Sequence, residues 1–368
     1  MTARTSRVAV FVPSVHGGGA ERAMLVFCRE LVELGLSVDL LTVRLEGPLQ
    51  QLIPPGVSVI DLKSSRTALA LPKLVCYLKR ARPAALYSTI MNANVVAAMA
   101  GVLSGTRIPT IVRESNAPLS SPKGTASRWV TYKVAPLLYQ FAYGIIAVSQ
   151  GVADELSVMA PRIKKRIRVI PTPVISEDVL RQGEEPVTHP WFIHHDRPVI
   201  LSAARLERHK GFFTLLRAFA ELRQRKDARL AILGQGSQRE QIEAEISRLG
   251  LEGQAALLGF AHNPFAYMSK ADVFVLASEF EGLPNVLVQA MAFGTPIVST
   301  DCKSGPAEIL CGGRFGTLVP VGDVQALARG LESALTQPRH LEAMAHARSV
   351  YGARNAAHEY LAMAGLVV

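Results

Sequence analysis

The stretch Ala277-Ser-Glu-Phe-Glu-Gly-Leu-Pro-Asn-Val-Leu-Val-Gln-Ala-Met-Ala-Phe-Gly-Thr-Pro-Ile-Val-Ser-Thr300 decides how this chain is read. The apolar run Val273 to Ala277 predicts a strand, and Glu279 and Glu281 fall in the loop after it. A helix opens at Pro284 and stops before Gly294, and a second strand covers Pro296 to Ser299. Proline suits a first helical turn, where no amide donor is needed, and glycine just past the end suits a left-handed cap. This places the amides of Gly282, Leu283 and Asn285 at the positive end of a helix, where the first turn offers no intrahelical acceptor, with Glu281 beside them. Such an end attracts phosphate, and a carboxylate next to it accepts hydrogen bonds from hydroxyls. Phosphate together with hydroxyls describes a nucleotide sugar.

Spacing alone fits any parallel α/β protein, but the residue identities go further. Glu281-Gly-Leu-Pro-Asn-Val-Leu-Val-Gln-Ala-Met-Ala-x-Gly-x-Pro-Ile-Val resembles the signature of the retaining glycosyltransferases of family 4 (glycosyl transferases group 1). That resemblance implies an α/β chain of the GT-B fold, with two Rossmann-like domains facing each other across a cleft. In the family a Glu and a second Glu eight residues later contact the donor sugar and the ribose. The first matches Glu281, and the second position is Gln289, which still accepts a hydrogen bond but carries no charge.

Other stretches extend the resemblance. Ser202-Ala-Ala-Arg-Leu-Glu-Arg-His-Lys-Gly-Phe-Phe-Thr-Leu-Leu-Arg-Ala-Phe219 resembles the family's motif in which an Arg and a Lys five residues on hold the donor diphosphate, and those positions are Arg205 and Lys210. A strand-end guanidinium and an ammonium at the next helix start can neutralise two phosphates and stabilise a diphosphate leaving group. Leu230-Ala-Ile-Leu-Gly-Gln-Gly reads as strand and glycine turn, with Gly234 beside the nucleotide in similar proteins, and Gly259-Phe260 matches the strand end that flanks the base. Glu279 joins the same donor-binding set. In the first half, Arg7-Val-Ala-Val-Phe-Val-Pro13 is a buried strand feeding Ser14-Val-His-Gly-Gly-Gly-Ala-Glu-Arg22. Three glycines let backbone approach a ligand closely, and the resemblance puts His16, Gly18 and Gly19 near the donor phosphates and the acceptor. Arg113-Glu-Ser-Asn116 follows a strand read as Thr110 to Val112. Family members often carry a sugar-contacting histidine in this loop; none is close here, and Arg113, Glu114 or Asn116 take its place in this reading.

With 368 residues the chain has room for two domains, each with its own core. The expected division is 1–175, an acceptor-binding domain, and 198–342, a nucleotide-sugar-binding domain. Residues 177–197 read as a linker without periodicity, and residues 343–368 as a helix crossing back to the first domain. The four cysteines show no C-x-x-C spacing, so a reducing, cytoplasmic setting is expected and zinc is not. The uncharged run Pro83 to Gly105 is long enough to span a membrane, but Ser88, Thr89, Asn92 and Asn94 split it into strand and helix. Residues 1–180 hold 21 Lys and Arg against 11 Asp and Glu, the whole of the chain's net charge of +10. A basic first domain suggests an anionic partner, with the basic aromatic stretch Ser120 to Tyr143 and the cluster Pro161 to Arg168 pointing to the inner face of a membrane.

Together these features imply transfer of a sugar from a UDP- or GDP-linked donor to a hydroxyl of a cell-envelope glycan or lipid-linked acceptor. Such a reaction serves polysaccharide or lipopolysaccharide biosynthesis. Glu281, Arg205 and Lys210 form the catalytic set. No D-x-D is present, so no metal and no other cofactor is expected. The alternative is a non-catalytic GT-B-like nucleotide-binding or regulatory protein, for which Gln289 and the missing histidine speak. An NAD-dependent oxidoreductase lacks its G-x-G-x-x-G fingerprint, and no nucleic-acid-binding motif accompanies the basic excess.

Overall fold

The computed structural model describes residues 6–16, 18–115 and 135–367. These belong to two compact units, Met1–Val174 with Tyr351–Val368, and Ile175–Val350. The first unit is built on seven parallel strands among the described residues: β1 (Arg7–Val12), β2 (Ser37–Thr42), β3 (Val57–Asp61), β4 (Ala85–Thr89), β5 (Thr110–Glu114), β6 (Gly144–Ala147) and β7 (Ile167–Val169). They lie in the order β3-β2-β1-β4-β5-β6-β7. Helices α1 (Gly19–Glu33), α2 (Leu71–Ala81), α3 (Met91–Ser104) and α4 (Gln150–Met159) make the crossovers. Both faces are thus covered, which is why Val8 to Val12 is apolar at every position and at most 1% exposed.

The second unit opens with α5 (Glu177–Glu184) and α6 (Pro190–His194). Its strands are β8 (Val199–Ala203), β9 (Arg229–Leu233), β10 (Ala255–Gly259), β11 (Val273–Leu276), β12 (Ile297–Thr300) and β13 (Thr317–Val319). Their order is β10-β9-β8-β11-β12-β13, again parallel. Helices α7 (Phe212–Arg223), α8 (Arg239–Arg248), α9 (Pro264–Lys270), α10 (Asn285–Ala292), α11 (Pro306–Ile309), α12 (Val324–Ala334) and α13 (Leu341–Val350) follow, and α14 (Ala353–Met363) belongs to the first unit. Each sheet is therefore doubly wound, with its strand order reversing between β1 and β4 and between β8 and β11. Ligands of such sheets bind outside the carboxyl ends of the strands at that reversal.

The structure departs from the sequence expectation in three places. The span 177–197 is not a bare linker. Ser176 caps α5 by accepting from the Val179 amide at 3.3 Å, Glu177 and Asp178 favour its first turn, and Ser269 Oγ donates to the Gly183 carbonyl. In α6, Phe192 packs edge-on against Tyr267 at 5.1 Å. Each helix has too few turns for a periodic pattern to show. The single helix expected after 343 is two, broken at Tyr351-Gly352, with α13 packed on α10 and α14 on α1. Lastly, β5 runs on through Arg113 and Glu114, which are 2% and 0% exposed. Most of the basic aromatic stretch Ser120 to Tyr143 lies outside the described residues.

Arg113 is corrected from a loop residue to an internal post of the first unit. Its Nε donates to the Tyr360 hydroxyl at 3.1 Å, Nη1 to Thr89 Oγ1 at 3.1 Å and Nη2 to Thr172 Oγ1 at 2.6 Å. Glu114 accepts from the Tyr139 hydroxyl at 2.6 Å and the Ser115 amide at 3.1 Å. Tyr360, from α14, also packs against Phe27 and Tyr87 at centroid distances of 5.0 and 6.2 Å. The last helix is thereby anchored both by apolar burial and by a hydrogen bond to a buried cation. Tyr360→Ala is expected to cost the first unit about 3–5 kcal/mol, as for other large-to-small changes of a buried aromatic. Tyr360→Phe, which strands the Arg113 Nε, is expected to cost about 1–3 kcal/mol. Urea unfolding followed by near-ultraviolet dichroism measures both.

Candidate active site

Strands β8 and β11 are neighbours, pairing Val273 with Ile200 and Phe274 with Leu201, so the loops that leave their carboxyl ends run side by side. Several contacts join residues 208–211 to residues 277–281. The Glu279 amide donates to the His209 carbonyl at 2.8 Å, and the His209 and Phe280 rings stack at 4.4 Å with 21° between their planes. Gly211, at φ +69°, comes so close that a Cβ there would stand 1.9 Å from the Ala277 carbonyl oxygen. Only glycine meets both demands. Lys210 Nζ then reaches Glu281 Oε1 at 2.6 Å. Ser278, wholly buried, donates its hydroxyl to the same oxygen at 2.7 Å, while its carbonyl accepts from Thr300 Oγ1 at 2.6 Å. Glu281 Oε1 is thus held from two sides, and Oε2 accepts no hydrogen bond from another described residue.

The Lys210 and Glu281 side chains keep 14% and 11% of their exposure. Water reaches the pair, so its strength falls short of a fully buried one, but removing either partner still leaves a charge in poor solvent. Around His209 the balance is different. Burial first, then Lys210 and Arg205, hold its imidazole below the ordinary 6.5, with Glu281 and Glu207 opposing. Burial, reinforced by Glu281, pushes the Cys302 thiol up to about 12, so it stands neutral beside the pair.

Two further strand ends adjoin these loops. The Gly234 amide donates to the Gly259 carbonyl at 2.7 Å, the Leu206 amide to the Gln235 carbonyl at 2.9 Å, and the Gln238 amide to the Leu206 carbonyl at 2.9 Å. Gly234, at φ +146°, lies where a Cβ would be 1.9 Å from the Ala204 carbonyl oxygen. The ends of β8, β9 and β10 are in this way laced together by backbone. Arg205 stands exposed on the first of them, and Phe260, half-buried, meets His262 edge-on at 5.2 Å on the third. Helix α10 begins at Asn285, with Pro284 as its N-cap, and Gly294, at φ +70°, ends it as a left-handed cap. Gly282, Leu283 and Pro284 are buried beneath it, Glu279 is exposed, and Gln289 is buried at 7% exposure, its amide making no hydrogen bond to another described residue.

The second unit therefore gathers Arg205, Lys210, Gly234, Gly259, Phe260, Glu279, Glu281 and the start of α10 at one edge of one sheet. In the first unit, His16 is exposed four residues beyond the end of β1, Gly18 is the N-cap of α1 and Gly19 its first residue. Asn116 lies outside the described residues, and Arg113 and Glu114 are committed to the internal contacts given above. Sequence reasoning missed Ser278, His209, Phe280 and Thr300. A signal for Ser278 existed, since Ser-x-x-Glu ordinarily marks a helix-capping box. Here no helix begins at that point, and the hydroxyl meets the carboxylate directly. Among the described residues no three His, Cys, Asp or Glu side chains are grouped to hold a metal ion.

With this geometry established, known proteins offer a comparison. The family description "Glycosyltransferase Family 4" matches residues 17–178, and "Glycosyl transferases group 1" matches residues 188–349. A Campylobacter jejuni N-acetylgalactosamine-N,N'-diacetylbacillosaminyl-diphospho-undecaprenol 4-alpha-N-acetylgalactosaminyltransferase is 29% identical over 341 residues, covering 89% of this chain and 90% of its own. The Rhizobium meliloti lipopolysaccharide core biosynthesis glycosyltransferase LpsE is 31% identical over 188 residues, about half of each chain (51% and 52%). Among solved structures, Anabaena Alr3699/HepE in complex with UDP and glucose superposes with a TM-score of 0.81 at 21% identity, covering 98% of this chain and 100% of that one. WaaG, a glycosyltransferase involved in lipopolysaccharide biosynthesis, gives 0.73 at 17% identity, covering 96% and 98%. Two doubly wound Rossmann-like units of the GT-B fold and the two matched regions lead to one conclusion: the chain belongs to the family 4 glycosyltransferases, the glycosyl transferases group 1.

Proposed function

We propose that the chain is a retaining glycosyltransferase that moves a sugar from a UDP- or GDP-linked donor to a hydroxyl of a cell-envelope glycan or lipid-linked acceptor. The observation that carries this reading is the carboxylate of Glu281, fixed at Oε1 by Lys210 and Ser278 and open at Oε2, at the carboxyl edge of β8 and β11. A donor diphosphate brings two negative charges, and Lys210 with Arg205 brings two positive ones beside a helix start. The phosphate takes the Lys210 ammonium, while Ser278 keeps Glu281 in position to accept hydrogen bonds from the sugar's hydroxyls. The bond from the anomeric carbon to the phosphate oxygen breaks, the acceptor oxygen bonds to that carbon on the same face, and the acceptor's proton passes to the departing phosphate. Lys210 and Arg205 stabilise the charge that develops on the leaving group without a cofactor. Gln289, buried on α10, offers its amide to the ribose.

HepE, with UDP and glucose in its crystals, supports the uridine choice, and the diphospho-undecaprenol in one relative's name and the lipopolysaccharide core biosynthesis in another's support the acceptor class. Glu281→Ala and Lys210→Ala are each expected to lower transfer by about 10²–10³, the usual loss for one preorganised electrostatic group. Donor turnover, assayed on protein whose folding is verified by circular dichroism, measures this. A protein that binds nucleotide and turns over no donor would favour the non-catalytic reading instead.

His209 yields a second expectation. Its folded value lies below 6.5, so the neutral ring is favoured, and its contribution to stability is present above pH 6.5 and lost as pH falls below it. A bound diphosphate reverses the local charge and raises that value, so binding takes up a proton. Affinity for a nucleotide sugar should rise as pH falls through 6.5. Calorimetry in buffers of different ionisation heat should register the uptake, and His209→Gln should abolish it.

A further inference from the structure

One buried polar side chain at the candidate site is not used by the protein itself. Gln289 lies on α10 at 7% exposure, and its carboxamide makes no hydrogen bond to another described residue. Buried hydroxyls on the strands and loops around α10 behave otherwise. That of Ser278 donates to Glu281 Oε1 at 2.7 Å, that of Thr295 to the Met268 carbonyl at 2.7 Å, that of Ser299 to the Thr300 carbonyl at 3.1 Å and that of Thr300 to the Ser278 carbonyl at 2.6 Å. A buried polar group without a partner is costly, so an amide that the protein leaves open calls for a polar atom of a ligand.

Position on α10 says which part of a ligand this amide meets. The helix starts at Asn285, and Gln289 is four residues on, hence on the same face and about 6 Å along the axis. A helical side chain leans toward the amino end of its helix, which returns the carboxamide toward the first turn. Beyond Asn285 it is the only polar side chain that α10 carries. Neither amide atom is sealed from solvent, as the Thr42 hydroxyl is, so the group opens outward. With a donor's diphosphate at the helix start and at Arg205 and Lys210, the next polar part of the nucleotide is its ribose.

An amide and a carboxylate treat the two ribose hydroxyls differently. A carboxylate accepts a charge-assisted bond from each hydroxyl, and taking one hydroxyl away leaves part of a buried charge unmatched. A carboxamide has one accepting and one donating atom and makes neutral hydrogen bonds. Each hydroxyl both donates and accepts, so the 3′-hydroxyl alone can serve either atom of the amide. Loss of a hydroxyl costs about 2- to 12-fold in affinity where its bond was neutral, and about 12- to 150-fold where it was made to a charge.

We propose that Gln289 relaxes selection at the ribose, so that the site accepts 2′-deoxyribonucleoside diphosphate sugars as donors alongside ribonucleoside ones. The proposal rests on the reading of this edge as a nucleotide-sugar site and adds the class of nucleotide that the site admits. Sugars linked to thymidine diphosphate belong to that class.

Calorimetric titration of the full chain at neutral pH tests it, with UDP against 2′-deoxy-UDP and GDP against 2′-deoxy-GDP, pairs that differ by one hydroxyl. For the pair that binds, the native protein is expected to hold the deoxy compound no more than about 12-fold more weakly. Gln289→Glu should widen that ratio beyond about 12-fold, because the carboxylate bonds to both hydroxyls through its charge. Its repulsion of the diphosphate falls on both members of a pair and cancels in the ratio. Gln289→Met, which nearly keeps the volume and removes both polar atoms, should bring the ratio to about one and covers the case in which the glutamate variant fails to fold. Discrimination by the native protein above about 12-fold, or a ratio that neither variant changes, overturns the proposal while leaving the edge a nucleotide site. Binding of none of the four compounds overturns the reading on which it rests, and the proposal with it.

Discussion

A parallel strand cannot be joined to its neighbour by a tight turn, because the chain must first return to the edge from which it started. That constraint shapes both units. Crossover helices cover both faces of each sheet, the strands become apolar throughout, and polar chemistry is pushed to the two edges. At the carboxyl edge of the second unit, reversal of strand order between β8 and β11 leaves two loops adjacent without a helix between them. Lys210 and Glu281 come from those loops, seventy-one positions apart in sequence and 2.6 Å apart in space.

Close backbone approach makes the pair exact in position. Gly211 against the Ala277 carbonyl and Gly234 against the Ala204 carbonyl leave no room for a side chain. The stacked His209 and Phe280 rings and the bond from the Glu279 amide to the His209 carbonyl then fix how the loops lie over one another. Ser278 is tied to Thr300 of β12, so the position of Glu281 is set by the sheet itself and not by the loop alone. Through Ser278 and Thr300 the carboxylate of Glu281 has a support that does not depend on Lys210.

Much of this was legible in the sequence because it depends on local chemistry. Apolar runs of four to six residues bounded by Gly and Pro marked the strands, and Pro284 and Gly294 bracketed a helix that the structure begins only one residue later. Family resemblance named Glu281, Lys210 and Arg205, and the structure gathers them at one sheet edge. What was not legible depends on long-range pairing. Arg113 looked like a loop cation because nothing near it in sequence reveals that Thr89, Thr172 and Tyr360 surround it. The helices within 177–197 escaped notice because Val179 and Phe192 are single anchors, too few for a period. Ser278 was overlooked because its partner is a side chain, where its spacing normally signals a helix cap.

The central claim is that the carboxyl edge of the second unit receives a nucleotide diphosphate. Thermal denaturation of the full chain in the presence of UDP, GDP, their sugar conjugates and NAD tests it most directly. A ligand at a hundred times its dissociation constant stabilises the folded state by about 2.7 kcal/mol, a shift of several degrees for units of this size. The account predicts such a shift with a UDP or GDP compound and none with NAD. A shift with NAD alone, or none with any nucleotide, would contradict it.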